Sequence, residues 1–408
     1  MFDHTILGQV ALAYSPVIDR NRAVTATRLT VFPLHQGAHL DAASLLAAVA
    51  DVWPIGSNSL VWLNVLSESL LQDLMKAQPA TNVLIEVPAF MATEPENSEA
   101  LNTLHANGSV LIIKGRPFKE LPREVLPCFK HSLIDLSDER RLDETTGGAG
   151  LGSDGTSRSV TLVQSGITTV PEMEASFRRG ATAVLGWPID DVTQSGNTRN
   201  ADQPTLQAIV QLIDQVHKEA DIEVLEGTLK RDPALAYKLL RYINSPAFGL
   251  SVEISSFRHA IMVLGYQRLK RWLALLLATA SKDPNMRPVM YAAVRRGLLM
   301  EELSRLGGSD EMRGELFICG VFSLLDRMFK QPFAELLKTI PVPERVFQAL
   351  VDGSGPYEPY FRLVKAIEGQ ALDEIREACD GLLMSAHDIN TCVLKALRAA
   401  GELDSGAA

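Results

Sequence analysis

The stretch that decides how this chain is organised reads Asp232-Pro233-Ala234-Leu235-Ala236-Tyr237-Lys238-Leu239-Leu240-Arg241-Tyr242-Ile243-Asn244-Ser245-Pro246-Ala247-Phe248-Gly249-Leu250. Asp232 followed by Pro233 is a helix start: an aspartate caps free backbone amides, and proline suits the first helical position, where no amide hydrogen is needed. Leu235, Leu239, Leu240 and Ile243 then fall on one side of a helical period. Asn244-Ser245-Pro246 should stop the helix, since the residue before a proline is pushed out of helical geometry. Working outward, Leu206, Ile209, Val210, Ile213 and Val216 repeat the same spacing from Pro204 onward. Further helices are predicted over 259–264, 266–280, 290–306, 315–329, 344–351, 360–369, 372–383 and 388–400. The region 204–408 reads as one all-α domain.

Upstream the period changes. Short continuous β-rich runs recur at 60–66, 83–87, 110–114, 132–136, 160–164 and 182–185. Helical stretches separate several of them, such as 171–179, which has Pro171 at its start and Gly180 just past its end. Repeated strand–helix units imply a mainly parallel sheet, open or closed as a (β/α) barrel, and continuous apolar runs suit strands buried on both faces. Two stretches interrupt the pattern. The glycine-rich 144–158 is read as a mobile loop within the first domain, and the polar 191–203 as the region where the domains part. The fold class is therefore α/β plus all-α: a barrel domain over 1–195, a linker over 196–203 and a helical domain over 204–408.

Composition bounds the function. A chain of 408 residues can bury two separate cores. A net charge of −10 offers no general attraction to phosphate backbones or anionic lipid, so neither nucleic acid nor membrane is an expected partner. The start Met1-Phe2-Asp3-His4 lacks a secretory n-region, and the most apolar run, 272–280, is too short to span a bilayer, so the expected location is cytoplasmic. Cys128, Cys319, Cys379 and Cys392 form no C-x-x-C pair and read as small buried residues in a reducing compartment. The run from Gly147 to Gly152 is glycine-rich but lacks the lysine of a P-loop.

The 232–250 stretch, continued by Ser255-Ser256-Phe257-Arg258-His259-Ala260 and Leu264-Gly265, resembles the signature of HDOD domains. In the first half, Pro16-Val17-Ile18-Asp19 resembles the opening strand of EAL barrels, Leu63-Asn64-Val65 their second-strand asparagine, and Ile85-Glu86-Val87 their third-strand glutamate. The segment 180–188 resembles their final strand. The whole is similar to bacterial two-domain proteins in which an EAL-like, TIM-like barrel precedes an HDOD domain.

That resemblance implies a chemistry this sequence largely lacks. Active EAL enzymes cleave cyclic-di-GMP with carboxylates that hold two divalent metals, a lysine, and a glutamate that supports the metal site. Carried over by position, the motif glutamate falls on Thr27 with Arg28 beside it, and the aspartate pair on Lys114 and Gly115. The lysine falls on Leu133 and the late glutamates on Ser165 and Thr168. Asn64, Glu86 and Asp135 match, so these three with Arg28 and Lys114 mark a vestigial ligand pocket in a degenerate active site. Each retained residue also has a structural reading, as a strand-end side chain bonding a neighbouring loop. In the helical half, Ser323 and Leu324 stand where HD phosphohydrolases carry their His-Asp pair, and His387-Asp388 reads as a helix cap. No metal and no cofactor are expected. Asn244, Phe248 and Ser323 mark a possible partner-binding cleft, although Phe248 can equally be a core plug.

The resulting expectation is a non-catalytic cytoplasmic signal-transduction scaffold, related to cyclic-di-GMP signalling proteins and acting through protein–protein interaction, with weak or no cyclic-di-GMP binding. The alternatives are a non-hydrolysing cyclic-di-GMP receptor and, less favoured by the ligand set, an active phosphodiesterase.

Overall fold

The computed structural model describes residues 4–35, 37–55, 59–139, 160–190, 204–230, 257–278, 283–329, 331–338, 340 and 342–406, with Leu235, Leu239, Ile243 and Ile254 as single positions. The stretches read from the sequence as a mobile loop (144–158) and as the region where the domains part (191–203, with the linker over 196–203), and most of 232–250, lie outside them. The chain forms two compact units, one of Met1–Asp191 with Lys365–Leu394 and one of Val192–Val364 with Lys395–Ala408.

In the first unit, eight strands close a barrel in sequence order. They are β1 (Val10–Asp19), β2 (Val24–Pro33), β3 (Leu60–Val65), β4 (Val83–Pro88), β5 (Val110–Lys114), β6 (Phe129–Asp135), β7 (Thr161–Ile167) and β8 (Ala183–Gly186). All neighbours pair parallel except β1, which is antiparallel to both β2 and β8. The reason is the connection: the few residues between β1 and β2 make a hairpin, and a parallel pair needs a crossover of a dozen or more. The helices α1 (Ala42–Ala50), α2 (Glu68–Lys76), α3 (Ser98–Ala106) and α4 (Val170–Arg178) lie on the connections that follow β2, β3, β4 and β7. The start of α4 is the expected one, with a capping box between Thr169 and Glu172 and a proline at its first turn.

Each strand gives one side chain to a dry layer inside the barrel: Val17, Ala26, Trp62, Leu84, Ile112, Leu133, Val163 and Leu185, all buried. Because strand side chains alternate, the residues two positions nearer the carboxyl ends of β2 to β6 point inward as the next layer. Those residues are Arg28, Asn64, Glu86, Lys114 and Asp135. An apolar floor thus lies under a polar layer at the barrel mouth, the end where catalytic and ligand-binding groups of such barrels are built.

The helical unit begins with α5 (Pro204–His217) and α6 (Ile222–Lys230). Leu235, Leu239 and Ile243 are helical and fully buried, as their spacing predicts. Helix α7 (Phe257–Ala278) is broken at Gly265, whose φ of 67° is left-handed, so the two predicted segments do meet at that glycine. Helices α8 (Arg287–Ser304) and α9 (Asp310–Phe322) pack at close range. A Cβ on Gly320 would lie 2.6 Å from the Arg296 carbonyl oxygen. The helix expected over 315–329 ends instead at Phe322, because the Ser323 hydroxyl turns back to the Gly320 carbonyl at 2.7 Å and competes with the helix's own hydrogen bonds.

The last helices are α10 (Glu358–Gly369), α11 (Leu372–Leu382) and α12 (Ala386–Gly406). Here the structure departs from a helical domain running unbroken from 204 to 408, since Lys365–Leu394 belongs to the barrel's unit. His387-Asp388 lies in the first turn of α12, where Ser385 accepts from the Asp388 amide at 3.1 Å and meets its carboxylate at 2.6 Å.

Candidate functional site

At the barrel mouth, Arg28 is held by Glu86 in a bidentate pair, with Nε to Oε1 at 2.6 Å and Nη2 to Oε2 at 2.7 Å. Both side chains are buried, at 9% and 0% exposure, so each charge has little but the other to replace lost water. The pair joins β2 to β4 across the interior, which settles the facing of β2. Arg28 is the inward residue, and Thr27, on which the motif glutamate was expected to fall, alternates to the opposite face.

A second chain of bonds closes the rest of the mouth. The Lys114 ammonium donates to Asn64 Oδ1 at 2.9 Å, and Asn64 Nδ2 donates to Thr30 Oγ1 at 3.2 Å. Thr30 donates to Gln370 Oε1 at 3.0 Å, and the same oxygen accepts from Arg28 Nη1 at 3.2 Å. Burial lowers the Lys114 pKa, with Glu86 opposing and Arg28 adding to that effect. Asp135 stands apart. Its oxygens accept from the Ser137 amide at 3.0 Å, the Ser137 hydroxyl at 2.7 Å and the Ser165 hydroxyl at 3.0 Å. Burial pushes its carboxyl up, but those hydrogen bonds outweigh it and leave the pKa below the ordinary value.

Four of the five pocket residues read from the sequence are thus brought into one network, and Asp135 belongs to a separate cluster. Thr30 and Gln370 complete the network without having been singled out. Thr30 carried a usable signal, since it lies two residues beyond Arg28 and shares its face. Gln370 carried none, because its contact with Arg28 spans 342 positions.

These residues do not fit a pair of divalent cations. Such a site needs several convergent oxygen ligands, whereas this layer presents a guanidinium and an ammonium, and its buried Glu86 is already taken by Arg28. Among the described residues, no group of three or more His, Cys, Asp or Glu side chains is arranged to hold a metal ion.

In the helical unit, Ser323 is buried at the end of α9, and its hydroxyl accepts from Arg296 Nη1 at 3.1 Å. The contact is made possible by Gly320, whose missing side chain lets α9 approach the backbone of α8 at Arg296. Leu324 is buried beside it, and burial raises the Asp326 pKa against the opposing influence of Arg327. Asn244 and Phe248 lie outside the described residues.

Comparison with known proteins bears on both halves. Residues 203–331 match the HDOD domain family. The cyclic di-GMP phosphodiesterase CdgJ of Vibrio cholerae serotype O1 is 22% identical over 402 residues, covering 95% of this chain and 91% of that protein. The uncharacterized protein YuxH of Bacillus subtilis is 28% identical over 191 residues, 46% of each chain, so the match spans less than half of that relative. Among solved structures, the FimX EAL domain from Pseudomonas aeruginosa bound to c-di-GMP is 14% identical, with 45% of this chain and 90% of that one covered and a TM-score of 0.32. The chain contains a closed eight-stranded barrel followed by a helical region in which residues 203–331 match the HDOD domain family.

Proposed function

We propose that this chain is a non-catalytic signal-transduction protein of the cyclic-di-GMP network, working in the cytoplasm by binding protein partners. The observation that carries this reading is the buried Arg28–Glu86 pair. It occupies the level of the barrel at which metal-dependent hydrolysis would need free carboxylates, and Lys114 adds a second cation to the same layer. Among the described residues, no helix is long and apolar enough to cross a membrane, in keeping with that location. The link to cyclic-di-GMP rests on the Vibrio relative, which carries that activity in its name and is similar over nearly the full chain.

The decisive experiment is a hydrolysis assay of the full chain with cyclic-di-GMP in Mg²⁺ or Mn²⁺. No linear product is expected. Turnover that disappears in Glu86→Gln would overturn the reading. Capture from the native cytoplasm with the full chain as bait is expected to return a protein partner, and recovery of the bait alone would contradict the scaffold role.

A second reading, a receptor that binds cyclic-di-GMP without cleaving it, is favoured by the donors Arg28, Thr30 and Lys114, which converge near the mouth. The intact chain is expected to bind weakly or not at all. A dissociation constant on the order of micromolar or tighter by calorimetry, weakened by Lys114→Glu, would put the receptor first.

A further inference from the structure

The segment Lys365–Leu394 belongs to the barrel's unit although most of a helical region separates it from β8 in sequence. The hydrogen bonds described between it and residues 1–191 reach one end of the barrel. Trp187, just past β8, donates from its indole to the Glu368 carbonyl at 3.2 Å. Arg376 donates to the carbonyl of Leu34, just past β2. Asn390 accepts from the Leu12 amide at 2.9 Å and donates to the Leu7 and Val10 carbonyls at 2.7 Å each. Because β1 runs antiparallel, its first residues lie beside the end of β2, with Val10 opposite Pro33. The segment therefore sits over the carboxyl ends of the parallel strands, at the mouth.

The anchors divide into two kinds. Asn390 is a permanent part of the barrel wall. The register of β8 on β1 covers only Val17, Ile18 and Asp19, so the first half of β1 has no strand on that side. The buried carboxamide of Asn390 stands in for one, satisfying an amide and two carbonyls that could not otherwise be buried without cost. Gln370 is different. It is only half-buried, and its oxygen accepts from two donors of the mouth, Arg28 Nη1 and Thr30 Oγ1. Its φ of 57° is left-handed, as is that of Leu383 at 54°, so both ends of α11 are held in a conformation that non-glycine residues resist. Arg376, a further anchor on α11, is exposed. Helix α11 thus has a left-handed residue at each end and buries Ile375 and Ala378, and its described hydrogen bonds to the mouth are those of the Gln370 oxygen and of Arg376.

We propose that α11 with Gln370 is a detachable cap on the barrel mouth, in which the Gln370 carboxamide oxygen holds the place of a phosphoryl oxygen of a phosphodiester ligand. Arg28 Nη1 and Thr30 Oγ1 are the donors that such an oxygen would meet once Gln370 leaves, with Lys114 joined to them through Asn64, while Glu86 stays bound to the other edge of the guanidinium. Cap and ligand then compete for the same donors, and the intact chain binds phosphodiester weakly because it is occupied by its own side chain. The inference rests on the reading of the barrel as non-hydrolysing, and it assigns that barrel a concealed ligand site.

The test uses the full chain with Gln370→Gly and Arg376→Ala combined. Glycine relieves the left-handed position and Asn390 is left in place, so the barrel wall is not disturbed. Hydrogen exchange of 371–382 and calorimetric titration with cyclic-di-GMP are measured on the same samples, together with product formation. Faster exchange in 371–382 and at least a tenfold gain in affinity over wild type are expected, the gain being lost when Thr30→Ala is added. Faster exchange with no gain in affinity overturns the proposal, since release then uncovers no site. Unchanged exchange overturns it equally, since the Gln370 and Arg376 contacts would not be what holds α11 down. Product formation in any variant would count against the non-catalytic reading alone and leave the competition between cap and ligand standing.

Discussion

The barrel mouth and the end of α9 both place an arginine where the family resemblance leads one to look for metal ligands, but the residue each arginine meets there differs, a carboxylate in one case and a hydroxyl in the other. Arg28 meets the carboxylate of Glu86 through two short bonds, at 2.6 and 2.7 Å, in a setting almost closed to water. Arg296 is also buried, and one of its bonds, at 3.1 Å, goes to the neutral hydroxyl of Ser323, while its charge acts on Asp326 and its guanidinium lies 5.7 Å from the Phe361 ring. A welded ion pair makes each partner depend on the other, because removing one strands a charge in a medium that cannot solvate it. A bond to a neutral hydroxyl can be lost at the cost of that bond. The barrel mouth should therefore be rigid and intolerant of single changes, and the end of α9 more forgiving.

The largest expected effect tests the first half of that contrast. Glu86→Ala should cost about 3–5 kcal/mol in urea unfolding followed by tryptophan emission. The double change Arg28→Met with Glu86→Leu should return most of that stability, because it removes the charge together with its partner. A double variant as unstable as Glu86→Ala would show that the pair is not what the mouth depends on. Gly320→Ala comes next, at about 3 kcal/mol by helical circular dichroism, since its methyl would press on the Arg296 backbone. No loss there would mean that α8 and α9 can separate freely, and that the Arg296–Ser323 contact is not imposed by close packing.

Ser323→Ala should cost about 2 kcal/mol, the loss of a hydrogen bond to a charged donor. A cost equal to that of Glu86→Ala would erase the distinction between the two regions. The smallest effect separates them by the sign of a pH dependence. The Asp135 pKa lies below its ordinary 3.8, so its stabilising contribution is present above 3.8 and is lost as pH falls through the lowered value. The Asp326 pKa lies above 3.8, so its contribution is fully present below 3.8 and is lost as pH rises through the raised value. Asp135→Asn should therefore flatten the acid side of the stability profile. Asp326→Asn should raise stability near neutral pH. Urea midpoints across the acid range would check both, and shifts of the same sign would refute the assignment.

Much of the fold could be read from residue pattern. The run 110–114 coincides with β5, and the runs at 60–66 and 83–87 match β3 and β4 to within a residue at their ends. Strands buried on both faces leave continuous apolar stretches, and those survive in the sequence whatever the register. Facing on β2 did not. Thr27 and Arg28 are adjacent polar residues in an apolar run, and a shift of one position exchanges inside for outside. Only the pairing of β2 with β3, and the reach of Arg28 to Glu86, fixes which of them enters the barrel.

The sequence by itself determined most strand and helix segments and the HDOD-like stretch, because periodicity, capping residues and residue identity are local properties. Tertiary structure decided which charges neutralise one another, which half of the chain the segment Lys365–Leu394 belongs to, and that Gln370 reaches the mouth of a barrel formed by residues hundreds of positions earlier. Such contacts arise when barrel closure and helix packing bring distant backbone ends together, and a buried amide such as that of Leu12 then takes whichever partner geometry delivers, here the side chain of Asn390. No pattern along the chain encodes that choice, since it depends on where the ends arrive and not on the residues beside them.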